Sequence, residues 1–307
     1  MAFTAADVKN LREMTGVGMM DCKKALAEAD GNMDKAVEIL REKGLAASQK
    51  KAGRIAAEGM AYAAVIDGVG VVVEVNAETD FVAKNDKFID FVKGVAATVV
   101  ANKPADLDAL MECKYVGTDL TVTQQQQEMV LVIGENIKVR RFAFFTEGVS
   151  VPYIHAGGKI GVLVNLDTDL SAEQVTEAGK DAAMQIAALN PRFWDKSEVT
   201  QDVLDEEKRI MLAQMANDPK MANKPDQVKE KIIDGKMNKF YEENCLLQQE
   251  FVKDNAFTVE KYIASAAKAL GGSVKFVDAV RFAKGEGIEK KEEDFAAEVA
   301  AQMNMGK

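Results

Sequence analysis

Two stretches of this chain repeat each other. Val71-Val-Val-Glu-Val-Asn-Ala-Glu-Thr-Asp80 aligns with Ile160-Gly-Val-Leu-Val-Asn-Leu-Asp-Thr-Asp169, 89 residues later, and each follows a glycine-rich turn, Asp67–Gly70 and Ala156–Lys159. A helix-like segment comes after each copy and closes at Pro104 or Pro191. An apolar, β-branched run entering a polar turn and then a helix is one supersecondary unit, so its recurrence predicts two similar subdomains. Ile133–Phe145 and Val274–Phe282 supply further strands. Strands so paired, with helices on one face, predict α+β layers with antiparallel sheets rather than a parallel doubly wound sheet. The 307 residues suit two or three such units better than one core.

Around the repeat the pattern is helical. Apolar residues at helical spacing predict helices over Ala5–Met14, Asp21–Ala29 and Met33–Lys43, with Gly16, Gly18, Gly31 and Gly44 as punctuation and Asp21 and Asn32 as N-caps. A basic stretch holding Lys50, Lys51 and Arg54 then reads as a linker. Between Ser197 and Glu242 a helical hairpin, coiled-coil in character, interrupts the second subdomain. Its arms run over about Thr200–Ala216 and Asp226–Tyr241, and Val228, Ile232, Ile233, Met237 and Phe240 are expected to pack on Val203, Ile210, Met211 and Met215. Each arm would reach ~25 Å at ~1.5 Å per residue. A last amphipathic helix carries Phe295, Val299 and Met303. The expected units are 1–54, 55–146, 147–285 with the insertion at 197–242, and 286–307.

Composition narrows the function. A formal net charge of −10 disfavours nucleic acid and anionic membrane as partners and favours protein. No apolar run nears the ~20 residues of a spanning helix, and the N-terminus lacks a signal-peptide pattern, so a cytoplasmic protein is expected. Cys22, Cys113 and Cys245 are distant and odd in number, which suits reduced thiols. His155 is the only histidine, and no nucleophile motif accompanies it. Gly68 and Gly70 precede their strand, unlike a dinucleotide fingerprint, and Asp167-Thr-Asp169 lacks the glycine and glutamate of a calcium loop. The expectation is a non-enzyme without metal or cofactor.

Two motifs point to protein contact. In Thr15-Gly-Val-Gly-Met-Met20, Met19 and Met20 either enter the local core or form an adaptable apolar contact rimmed by Arg12 and Lys23. In Glu78-Thr-Asp-Phe-Val-Ala-Lys-Asn85, Asp80 either caps a helix while Phe81 folds inward, or the turn presents Phe81 to a partner. The twin turn continues Asp169-Leu-Ser, an ordinary helix start, so only the first copy places an aromatic at this corner.

The ordered set of motifs resembles the elongation factor Ts family, exchange factors for the translational GTPase EF-Tu, over essentially the whole chain. The similar segments are Leu11–Leu26, Glu74–Asn85, Ile133–Arg141, His155 with Gly161–Val164, and Gly285–Lys290. The resemblance implies a ubiquitin-associated-like N-terminal module, two repeated subdomains, a hairpin and a C-terminal module. It also implies that Thr79, Asp80, Phe81 and Val82 enter the GTPase domain of EF-Tu near its magnesium, that the N-terminal module (Arg12, Met19, Met20, Lys23) grips a helix of that domain, and that the second subdomain, with His155, reaches another domain. The family turn often has Cys-Gln where Ala77 and Glu78 stand, a change on the approach rather than the tip. Weak homodimerisation through the hairpin is an open expectation. The rival reading is a ubiquitin-associated-like adaptor without exchange activity, which explains residues 5–44 but not the repeat and its tip.

Overall fold

The computed structural model describes residues 3–222 and 224–289. Helices α1 (Ala5–Thr15), α2 (Met19–Glu28) and α3 (Met33–Lys51) close on a core of Leu11, Cys22, Ala25, Leu26, Ala36 and Leu40. Thr4 and Asp7 form a capping box at the start of α1, and Gly16 ends it in the left-handed region at φ 68°. Asn32 caps α3 as expected, its Oδ1 accepting from the Lys35 amide at 2.9 Å. Asp21 is not the cap of α2. The amides of Asp21 and Cys22 both bond to the Gly18 carbonyl, so the first turn closes two residues earlier and leaves Asp21 inside it, where its charge suits the positive helix end. Nor does Gly44 stop α3, since a Cβ there would stand 3.3 Å from the Gln127 carbonyl oxygen. That glycine permits a close helix contact instead of a turn.

The chain continues as β1 (Glu58–Ile66), β2 (Val69–Ala77), α4 (Asp80–Ala83), α5 (Asp86–Asn102), α6 (Leu107–Glu112), α7 (Val122–Ile133) and β3 (Lys138–Phe145). The second copy follows as β4 (Val149–His155), β5 (Ile160–Thr168) and α8 (Ala172–Leu189). The interruption holds α9 (Gln201–Asn217), α10 (Pro219–Ala222) and α11 (Asp226–Asn244), and the chain returns through β6 (Glu250–Phe251), β7 (Asp254–Thr258), α12 (Val259–Leu270) and β8 (Val274–Ala283). The repeat is therefore physical. Sheets β1-β2-β3 and β4-β5-β8 are both antiparallel, each with a repeated strand at its centre and a long helix after it.

The unbroken valine run of β2 has a simple cause, burial on both faces. Val71, Val73 and Val75 face α5, where Phe88, Phe91, Val92 and Val95 complete a core. Val72 faces the other way and joins Ala61, Ala63, Leu163 and Phe282 between the sheets. Val162, Val164 and Leu166 of β5 pack on α8 through Val175, Ala182 and Ile186. The layers are helix, sheet, sheet, helix.

Glu74, fully buried, is the one charge inside this run. It accepts from Arg140 Nη1 at 2.9 Å, Arg141 Nε at 2.5 Å and the Gly285 amide at 2.8 Å. Neighbouring residues of a strand normally point to opposite faces; here Glu74 pairs with Arg141 and Val75 with Val139, so a bulge at Arg140 lets both guanidinium groups reach one carboxylate. Burial pushes the Glu74 pKa up, but the Gly285 amide and the two arginines outweigh it and hold the carboxyl below its ordinary value.

In the hairpin, Met215, Ile233, Met237 and Phe240 are buried, with Val203, Met211 and Ile232 packed against them. Ile210 and Val228 are exposed, contrary to the expected stripe. Ile210 lies ~100° around the helix from Met211, and toward the distal end Met221 of α10 packs against the cluster instead of Val228. Among the described residues no helix is long and apolar enough to cross a membrane, and no group of three or more His, Cys, Asp or Glu side chains is placed to hold a metal ion. The helix expected within 286–307, with Phe295, Val299 and Met303, lies outside the described residues.

Candidate partner-binding surface

The turn after β2 is built from two helix caps in succession. Thr79, extended at φ −125° and ψ 156°, caps α4 by accepting from the Val82 amide at 3.4 Å, and Asn85 caps α5 by accepting from the Lys87 amide at 2.9 Å. Asp80 is thus the first helical residue and not the cap. Its carboxylate turns outward to Lys84 Nζ at 2.8 Å, and this bond, with the nearby charge of Lys284 contributing, lowers its pKa. Val82 points inward and joins the core under β2. Phe81 points out, 80% exposed. In the twin turn Leu170 packs into the second core, and Asp169 is tied down by the Ser273 amide at 2.7 Å. The two copies therefore resolve the same corner in opposite ways.

A second loop holds the tip from beneath. The Glu135 carboxylate accepts from the Glu78 amide at 3.1 Å, the Thr79 amide at 3.0 Å and the Thr79 hydroxyl at 2.7 Å. Glu78 reciprocates, its Oε1 accepting from the Asn136 amide at 2.6 Å and facing Arg54 Nη1 at 3.5 Å. Asn136 Nδ2 donates to the Arg54 carbonyl at 2.8 Å.

The N-terminal module sits beside this tip. Leu131 and Val132 of α7 pack against its core, Arg41 faces Glu128 at 3.6 Å, and Lys87 Nζ donates to the Gly16 carbonyl at 3.3 Å. Lys87 and Val132 also line a cleft with Phe81, Val82, Asn85 and Ile133, so the tip and the Thr15–Met20 loop flank one recess. Arg12, Met19, Met20 and Lys23 are all exposed, and Val17 and Cys22 take the core places of this loop. Both methionines lie on the surface, 49% and 63% open.

His155 ends β4, exposed, with Nδ1 3.0 Å from the Tyr153 hydroxyl. The turn it opens is fastened to the first sheet, the Ala61 amide donating to the Gly158 carbonyl at 2.9 Å. The Lys284 amide bonds to the Lys159 carbonyl at 2.9 Å, and the Lys284 ammonium pairs with Glu58. The Glu78–Asn85 turn, the Glu135 loop, Gly285 and the turn after His155 thus meet at one end of the paired sheets. Sequence reasoning missed Glu135, Arg54 and Glu74 as the groups that fasten this end. A charge inside the valine run was the one available signal for Glu74.

A family model described as Elongation factor TS matches residues 78–286. The chain is 49% identical over 304 residues to Elongation factor Ts of Syntrophotalea carbinolica, covering 98% of this chain and 99% of that one. It is 51% identical over 310 residues to Elongation factor Ts of Trichlorobacter lovleyi, with 98% of each chain covered. A third relative, Elongation factor Ts of Clostridium kluyveri, is 48% identical over 305 residues, with 98% of each chain covered.

Proposed function

The chain belongs to the elongation factor Ts family, and from that premise we propose that it is a guanine-nucleotide exchange factor for EF-Tu, acting by binding alone and catalysing no covalent step. The observation that carries this reading is Phe81, an aromatic ring four-fifths open to solvent on a turn whose backbone is locked on both sides. A large ring carried on a fixed backbone spares the partner the cost of ordering the turn and gains ~1.5–3 kcal/mol from burial.

A GTPase holds GDP partly through a magnesium ion bridging phosphate oxygens, so a side chain that displaces the elements around that ion weakens metal and nucleotide together. In this reading Phe81 is the wedge, Asp80 brings its charge toward the metal region, and Thr79 and Val82 fix the turn. Linkage makes the effect reciprocal: GDP weakens the grip of the factor by the factor with which the factor weakens GDP, and rebinding of GTP releases it. A ~10⁴-fold shift needs ~5.5 kcal/mol of differential binding, more than one ring supplies. Met19, Met20, Arg12 and Lys23 at the N-terminal module and His155 on the second sheet are proposed as the separate contacts that anchor the wedge.

The adaptor reading accounts for the exposed methionines but leaves the locked, exposed Phe81 without a purpose. The two differ in what nucleotide does. An exchange factor binds nucleotide-free EF-Tu far more tightly than the GDP-loaded form, whereas an adaptor binds both alike. Titration calorimetry of the chain with each form decides between them, and equal affinities overturn the exchange reading.

A further inference from the structure

We infer that Glu135 is a positioning residue for the exchange tip, acting through Thr79 to set the direction of Phe81; the inference rests on the reading of Phe81 as the wedge. Helix α4 has only four residues, too few to persist on its own helical bonding. Phe81, being exposed, cannot orient it by packing. Besides the Asn85 cap of α5 on its far side, two things fix it: Val82 in the core, and the carboxylate of Glu135 across the sheet end, 56 residues later in the chain than Thr79.

The chemistry requires a carboxylate at this place. Both amides entering the turn, of Glu78 and Thr79, converge on Glu135 Oε2, and the Thr79 hydroxyl donates to Oε1. Because that hydroxyl spends its proton on Glu135, its lone pairs are left to accept from the Val82 amide, which is the cap of α4. Three donors meeting two acceptor oxygens suit an acceptor-only group. A glutamine has one acceptor oxygen and presents an NH₂ where a donor already points.

The same cluster accounts for the basic linker. Arg54 meets Glu78 through its guanidinium and Asn136 through its carbonyl, and the nearby Lys51 ends α3. Burial and then the charge of Arg54 lower the Lys51 pKa, while Glu78 and Glu135 act to raise it. The segment leaving the N-terminal module is therefore fastened to the loop that holds the tip, and the same loop leaves α7, on which the module is docked. Anchor and wedge share one mount.

The test is GDP release from EF-Tu by stopped flow, as a function of factor concentration, for Glu135→Gln, Thr79→Val, Phe81→Ala and the Phe81→Ala/Glu135→Gln pair. Mis-setting the tip without removing the anchors lowers the plateau rate by about tenfold or more for Glu135→Gln and Thr79→Val, while the half-saturating concentration moves less than about threefold. Because Glu135 acts through Phe81, the double variant loses nothing beyond Phe81→Ala. Wild-type plateaus for Glu135→Gln and Thr79→Val beside a slow Phe81→Ala overturn the positioning role and leave the wedge standing. A full extra loss in the double variant also overturns it, and a wild-type rate for Phe81→Ala overturns the wedge itself. Should Glu135→Gln lose its cooperative thermal transition, Thr79→Val, which replaces the hydroxyl with a methyl and leaves both amides on Glu135, decides.

Discussion

Thr79 and Asp80 divide the tasks of this turn, Thr79 capping the helix and Asp80 holding an outward charge. With Thr79 as the cap, Thr79→Ala is expected to cost the fold ~1 kcal/mol. Asp80→Ala removes only an exposed, solvent-screened pair with Lys84, so its effect is expected in GDP release and not in the thermal midpoint. Slow release with an unchanged melting curve supports the division, and a melting loss above that of Thr79→Ala contradicts it. Glu74 behaves differently because it is buried. Its folded pKa lies below the ordinary 4.5, so its stabilisation is present above that pH and is lost as the pH falls through the lower folded value. Differential scanning calorimetry from pH 7 downward should show this loss beginning below about pH 4.5, and Glu74→Gln should be less stable at pH 7 with a flatter acid limb.

At the scale of elements, the hairpin keeps its own core, apart from the cluster between α8 and the second sheet. Replacing 197–242 with a Gly/Ser linker is expected to leave a cooperative thermal transition and measurable exchange, with a modest loss of stability where Phe193 and Cys245 lose their cover. Loss of the transition would place the hairpin within the main fold. The N-terminal module calls for a gentler test, since α3 is packed on α7. Met19→Ser with Met20→Ser exposes no core and should weaken the complex by about 1 kcal/mol or more while sparing the plateau release rate at saturation. Unchanged affinity contradicts a gripping role. Methionine also shows where periodicity stops being informative: its flexible, soft side chain suits core and surface contact alike, so the spacing of Met19 and Met20 left both readings open.

Across the whole molecule, the repeat was legible because each copy is local: a β-branched run, a tight turn and a helix need only their own residues to be recognised. The second buried face of β2 was encoded in the absence of alternation between Val71 and Val75, and it is the other sheet that covers it. What could not be read is what long separation and backbone chemistry conceal. Glu135 serves two main-chain amides and a hydroxyl more than fifty residues away, and such bonds leave no side-chain pattern behind. Whether Phe81 faced in or out also depended on the local cap, for which the sequence suggested Asp80 and the fold uses Thr79. The proposed exchange activity turns on that ring, and release of fluorescent GDP from EF-Tu by wild-type chain and by Phe81→Ala is the measurement that decides it. The expected result is rapid release with wild type, a loss of ~2 kcal/mol or more in the variant, and a melting curve within ~0.5 kcal/mol of wild type. Wild-type release rates from Phe81→Ala, or a fold destabilised by the ~3–5 kcal/mol of a core phenylalanine, would contradict it.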